Sequence, residues 1–415
     1  MKKRYILLFV IIVFVGFLAG YRFGYKVSPR DFIGEDTKII YANEGIADKD
    51  FKEVMPLINA AGKEADYKKF EETKKYISKI YAFSDSDFYN KDIKSAVVVD
   101  TGYWYFFILK DSVKYFDKDG EFYRLKSKYM EKYGLKRDIY MCFHRGLIIF
   151  SENKSVLKKI INKKGTYNAK IENIIDETRD NLLGTLIYNN VKTKDLGIEA
   201  VSLTGTIDKD VVKLQGKIIG DKDVFAAFND QPEERKLLKY TGKNTIYLSM
   251  KDFSKLEKLV FNSYTLGNNK DLILAMWQGF IGTKPSDLLK EIDGGIIADT
   301  NNATMMIPLK NAEKVKKALS MFKTEDGYRI SNRARLFFKD ENTLVYGKDS
   351  FVENPHPAVL VRGQFLYGSL DIYSNFGIEE LQGTDLNIAG IGNEVTFEAE
   401  INSKNIERLL RRVKW

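Results

Sequence analysis

The residues in this chain that could carry nucleophilic chemistry are Cys142 and His144, its only cysteine and one of its two histidines. One residue separates them in a strand-like stretch, so their side chains share a face. A neighbouring imidazole lowers a thiol's pKa and makes a thiolate nucleophile conceivable. Met141 and Phe143 flank the cysteine, however, and this is the setting of a small core residue. His356 lies in Asn354-Pro355-His356-Pro357, a loop that its prolines hold extended. Two histidines and one cysteine are too few for HExxH or paired CxxC zinc sites. Asp85, Asp87 and Asp92 suggest calcium by composition, but the EF-hand spacing that ends in a bidentate Glu is absent. Glu379-Glu380 and the pair Glu398/Glu400 are the carboxylates a glycosidase reading would use. In Thr396–Ile401 strict alternation makes Glu398 and Glu400 the wet side of a half-exposed strand. No phosphate-cradling glycine motif occurs. No catalytic residue, cofactor or metal is expected.

The elements that would have to position any site begin at an unusual N-terminus. Lys2-Lys3-Arg4 precedes an unbroken apolar run, Tyr5 to Tyr21, with Val10 and Val15 inside it. Carried on to Tyr25, the run is long enough to span the roughly 30 Å hydrocarbon core, with Arg22 snorkelling to the headgroups. A signal peptide is the rival reading. The run is longer than a usual h-region, and Phe17/Ala19 or Gly16/Leu18 make poor cleavage pairs. With Lys2, Lys3 and Arg4 on one side and Arg22, Lys26 and Arg30 on the other, the basic bias favours an N-terminus in the cytoplasm. Gly16, Gly20 and Gly24 form two overlapping GxxxG patterns, a candidate face for helix dimerisation and a homodimer. Glycine's general frequency in membrane helices is the bland account of the same spacing.

Charge excludes one class of partner. The chain carries +9, with 66 basic and 57 acidic residues. Six of the basic residues and none of the acidic ones fall in residues 1–30, so the rest balances at +3. The folded part has no broad positive field, and nucleic acid is not an expected partner. The lysines at Lys158-Lys159 and the arginines at Arg411-Arg412 sit on amphipathic helical patterns, where a solvated face is the default.

Beyond the N-terminus, short apolar runs alternate with helical stretches. Tyr103–Leu109, apolar throughout, reads as a strand covered on both faces; a sharper reading gives one of its faces to an apolar ligand. Ile139–Phe143 and Gly146–Phe150 read as a hairpin, and Ser403–Lys414 as a closing amphipathic helix. Five segments recur in order. Ile40-Tyr41 resembles Ile246-Tyr247, Val97–Thr101 resembles Ile296–Thr300, and Leu147–Phe150 resembles Leu344–Tyr346. Gly197–Glu199 resembles Gly377–Glu379, and Leu203–Ile218 resembles Leu386–Ile401. The pattern predicts an α+β fold. A transmembrane helix and short cytoplasmic tip (1–30) would precede two tandem repeats of antiparallel sheet with packed helices, at 31–230 and 231–415.

In this layout the chain loosely resembles bacterial signal-anchored extracytoplasmic proteins of unknown function with a duplicated α+β body. The resemblance rests on organisation and not on a motif, so it carries over no functional residue. It implies a single-pass protein of the bacterial cytoplasmic membrane with its body outside the cytoplasm. The expected role is non-enzymatic binding or scaffolding in the cell envelope, with other envelope proteins or lipid as partners. A carrier or tether for lipid or another apolar ligand is the alternative, and an envelope-polymer hydrolase the third reading.

Overall fold

A computed structural model of the chain describes residues 25–412 apart from 56, 58–63, 87–94, 113, 133, 163–168, 194–197, 209–210, 221–224, 226–227, 258–269, 332–333, 361–362, 370–383 and 392–393. The apolar run with Tyr5, Val10, Val15 and Tyr21, the glycines Gly16, Gly20 and Gly24, and Asp87, Asp92, Glu379 and Glu380 lie outside the described residues.

The expected architecture needs correction. The described strands are joined in one twenty-stranded antiparallel sheet, not in two separate sheets set in tandem. No helix among the described residues is long and apolar enough to cross a membrane. By contact density the chain forms two compact units, one ending at Asn190 and adding Ser202–Thr206, the other taking Val191–Val201 and Ile207–Trp415.

The first unit holds β1 (Ile39–Glu44), β2 (Lys79–Ser84), β3 (Ser95–Asp100), β4 (Phe116–Asp119), β5 (Phe122–Leu125), β6 (Tyr140–His144) and β7 (Leu147–Ser151), with the start of β8 (Thr185–Thr193). They pair in the order β4-β5-β6-β7-β3-β2-β1-β8. β9 (Ile198–Asp208) is divided between the units, and the second holds β10 (Val211–Gly220), β11 (Thr245–Ser249), β12 (Gly295–Asp299), β13 (Thr304–Pro308), β14 (Lys323–Thr324), β15 (Gly327–Ser331), β16 (Ala334–Phe338), β17 (Thr343–Tyr346), β18 (Gln364–Ser369), β19 (Asp385–Ile391) and β20 (Glu394–Asn402). There the order β17-β13-β12-β11-β18-β19-β20-β10 runs through the same sequence of neighbours as β7-β3-β2-β1-β8. Ile40-Tyr41 and Ile246-Tyr247 therefore lie on strands with like partners. Val97–Thr101 and Ile296–Thr300 do not: β3 lies between β2 and β7, whereas β12 lies between β11 and β13.

The stretch expected as a buried strand at Tyr103–Leu109 is a 3-10 turn, Gly102–Trp104, running into helix α1, Tyr105–Ser112. An apolar run does not by itself distinguish strand from helix. Here the strand is ended by Gly102, at φ +56°, whose N–H donates to Asp100 Oδ1 at 2.8 Å. The inner side of α1 buries Tyr105 against Met141 and Ile148, with Ile108 packed on the same cluster. Helix α2, Lys154–Ile161, is capped by Asn153 and buries Val156, Leu157 and Ile160. The β6–β7 hairpin turns through Arg145 (φ +45°) and Gly146 (φ +87°), the two positive-φ positions of a type I′ turn.

Candidate functional site

The sheet register of the first unit lines up ionisable residues that are far apart in sequence. Glu44, the last residue of β1, lies opposite Lys79, the first of β2, and Lys79 lies opposite Asp100, the last of β3. Cross-strand partners share a sheet face, so the row alternates negative, positive, negative. Both carboxylates are buried, with side chains 2% exposed. A buried charge needs partners, and the chain that follows the N-terminal run supplies two.

That segment is shaped locally. Ser28 caps a 3-10 turn, Pro29–Phe32, with a capping box: Arg30 N–H donates to Ser28 Oγ, and Ser28 N–H to Asp31. Pro29 presets the turn and Phe32 is buried beneath it. The turn directs Arg30 at Glu44, its Nε donating at 3.2 Å, while Nη2 reaches Asp176 at 2.7 Å. Upstream, Lys26 Nζ pairs with Asp100 at 2.8 Å. The backbone is held too: Val27 N–H donates to Arg145 O at 3.1 Å, and Arg145 Nε to Tyr25 O at 3.2 Å.

Glu44 Oε1 accepts from three groups, Tyr81 Oη at 2.5 Å, Lys79 Nζ at 2.9 Å and Arg30 Nε, and Arg179 stands 3.8 Å from its other oxygen. Burial alone would raise the carboxyl pKa. The hydrogen bonds from Tyr81, Lys79 and Arg30 outweigh it and hold the pKa at about 2, against an ordinary 4.5. Tyr81 moves upward, through burial and through the Glu44 charge its hydroxyl faces. Arg30 also moves upward, because its bonds to Asp176, Tyr81 and Glu44 overcome the opposing effect of burial. Each group is thereby fixed in one protonation state.

A depressed carboxylate pKa contributes stability above its unfolded value, and that stability is lost as pH falls through the folded value. Glu44 contributes fully above pH 4.5 and loses its contribution between there and about pH 2. The difference corresponds to about 3 kcal/mol. Urea unfolding of the first unit should therefore shift to lower midpoints across that window. With Glu44→Gln this part of the acid dependence should vanish; an unchanged pH slope would show that Glu44 is not so held.

Above the row a cavity of about 540 Å³ is lined by Lys26, Ser28, Lys79, Asp100, Tyr103 and Arg179, among others. Three of these side chains are cations and one is a carboxylate, and Asp100 is already neutralised by Lys26. Arg179 is the most open of the three, its side chain 61% exposed. An ammonium has three N–H donors and a guanidinium five, so single bonds to Glu44 or Asp100 leave donors over. The arrangement suits an anion with several acceptor oxygens.

The residues singled out by sequence fall elsewhere. Cys142 is buried on β6, and burial with the Glu121 charge pushes its thiol up to about 12. His144 moves the other way, lowered by burial and by Arg145, and packs against Phe32 at 6.1 Å between ring centroids. Such a thiol stays protonated at neutral pH. Iodoacetamide at pH 8 should leave Cys142 unmodified in the folded chain and label it in denaturant. Equal labelling of both, read by mass spectrometry, would contradict its burial. His356 is on an exposed loop, its N–H donating to Asn354 Oδ1. Glu398 and Glu400 pair across strands with Gln215 and Lys213 of β10. Among the described residues no group of three or more His, Cys, Asp or Glu is placed to hold a metal ion. Sequence reading took Lys26 and Arg30 only as topology signals and missed Glu44, Lys79, Asp100 and Arg179. The available signal was the carboxylate ending each of two apolar strand runs, at Glu44 and Asp100.

No protein-family model matches the chain, and no curated protein matches it in sequence. Among solved structures, crystal form III of TP0453 aligns with a TM-score of 0.30 and 12% identity, covering 46% of this chain and 80% of that one. Crystal form I of TP0453 gives 0.29 and 14%, covering 47% and 79%. Likeness at this level carries no inference about fold or function.

Proposed function

We propose that this chain is a membrane-held binding protein of the bacterial cell envelope, and that the cleft of its first unit takes an anionic, phosphate-bearing group. The apolar run Tyr5–Tyr21 with its basic flanks supports attachment to the cytoplasmic membrane, and the flank asymmetry supports a body outside the cytoplasm. The observation that carries the ligand reading is the convergence of Lys26, Lys79 and Arg179 on one cavity of about 540 Å³, within the size range of small-molecule sites.

Binding is favoured over catalysis by the fixed protonation states. General acid–base work needs a group with a pKa near the working pH. Glu44 at about 2 and Tyr81 moved upward instead each keep one protonation state near neutral pH, and Glu44 holds Lys79 and Arg30 by hydrogen bonds. The carrier reading for an apolar ligand draws no support from this cavity, whose charged lining suits a polar group.

The test is a calorimetric titration of the detergent-solubilised full chain with glycerol phosphate, inorganic phosphate and uncharged glycerol. The two phosphates should bind and glycerol should not. Equal heats for glycerol and glycerol phosphate would refute the reading.

A further inference from the structure

Beside the cleft the sequence Tyr103-Trp104-Tyr105-Phe106-Phe107 makes an apolar ridge. Tyr105 turns into the core. The others face outward: Phe107 is 70% exposed, Tyr103 and Trp104 47% each, and Phe106 42%. Four large aromatics exposed together on one turn and the start of one helix mark an interaction surface. The ridge is ordered by ring contacts. Trp104 stands edge-on to Tyr76 at 5.1 Å and lies 5.8 Å from Phe107. Cations border it: Lys75 Nζ lies 5.0 Å above the Tyr76 ring, and exposed Lys110 follows within a turn of Phe107.

What covers this ridge follows from where the chain comes from. Tyr103 lines the same cavity as Lys26. Lys26 is five residues after Tyr21, where the apolar run ends. Five residues, even fully extended, span at most about 18 Å. The bonds of Tyr25 and Val27 to Arg145 and of Lys26 to Asp100 fix the near end of that tether. An apolar run inside a bilayer thus holds the ridge within reach of the headgroup layer. Trp and Tyr favour that layer, with an apolar body and a polar tip, and bordering lysines favour anionic lipid.

We infer that the Tyr103–Phe107 ridge docks on the surface of an anionic bilayer, so that the anion taken by the cleft is a lipid phosphate from that same bilayer. This rests on the phosphate reading of the cleft, and the experiment separates the two. The chain has three tryptophans. The full-length Trp277→Phe/Trp415→Phe variant keeps Trp104 alone and is placed in nanodiscs of phosphatidylcholine, with or without phosphatidylglycerol. A lipid spin-labelled near its headgroup should quench Trp104 emission about twofold, more strongly with phosphatidylglycerol present. Phe107→Cys, spin-labelled at this open position, gives an independent depth by electron paramagnetic resonance; buried Cys142 stays unlabelled. Glycerol phosphate binding is measured on the same proteins.

Quenching together with glycerol phosphate binding supports the inference. An unquenched Trp104 and a water-exposed label at position 107, with glycerol phosphate still bound, overturn the docking and leave the cleft reading standing. Quenching without glycerol phosphate binding overturns the cleft reading and the lipid-phosphate assignment with it.

Discussion

Glu44→Gln should be among the most destabilising single changes in the first unit, costing about 3–5 kcal/mol. The carboxylate is buried and accepts from Tyr81, Lys79 and Arg30 at once. A neutral amide of the same shape leaves Lys79 without a counter-charge, and its NH2 group, a donor itself, faces other donors. Arg30 keeps Asp176, so the loss falls mainly on Lys79 and Tyr81. For a unit of this size the melting temperature should drop on the order of 10 °C. The measurement is thermal unfolding of the full chain in detergent, beside Glu398→Gln on β20 as a control for an exposed carboxylate. Glu398 accepts from Gln215 in an exposed pair, and its change should stay within about 0.5 kcal/mol. Equal effects of the two substitutions would remove Glu44 from its place as the organising charge.

The second large effect concerns binding. Arg179→Gln should lower glycerol phosphate affinity about 10- to 100-fold, the scale of one charge-assisted hydrogen bond. It should hardly alter stability, because Arg179 is mostly exposed and Glu44 keeps three closer donors. Lys26→Gln is a poorer probe: it strips buried Asp100 of its cation and mixes folding with binding. Affinity in the wild-type chain should also fall with added salt, since an open guanidinium is screened over roughly 10 Å at ordinary ionic strength. Unchanged affinity in Arg179→Gln would remove the arginine from the ligand's contacts.

Local features with strong residue signals were legible in the sequence. The hairpin expected from Ile139–Phe143 and Gly146–Phe150 forms as β6 and β7, and its turn sits one residue from the expected place. The alternation in Thr396–Ile401 gives a strand with Val395 and Ile401 buried. Two things were not legible. The stretch Tyr103–Leu109 carries no period, so only the stop at Gly102 decides for helix, and that depends on a hydrogen bond to Asp100. The join of the strands into one sheet depends on pairings such as β10–β20, between residues 175 to 191 apart, from Ile219–Glu394 to Val211–Asn402. The candidate site was hidden for the same reason. Glu44, Lys79 and Asp100 meet through register alone, and no short motif can encode a row built from three strands. Conversely, Cys142 and His144, one residue apart on β6, place a buried thiol whose pKa is pushed up, the opposite of what a thiolate nucleophile needs.

The most direct test of the central claim is footprinting of lysines by an amine-reactive reagent in the full chain, with and without saturating glycerol phosphate, read by mass spectrometry. Protection of Lys26 and Lys79 is expected, with Lys213 and Lys236, which do not line the cleft, unchanged. Labelling of Lys26 and Lys79 that is the same with and without the ligand would contradict it.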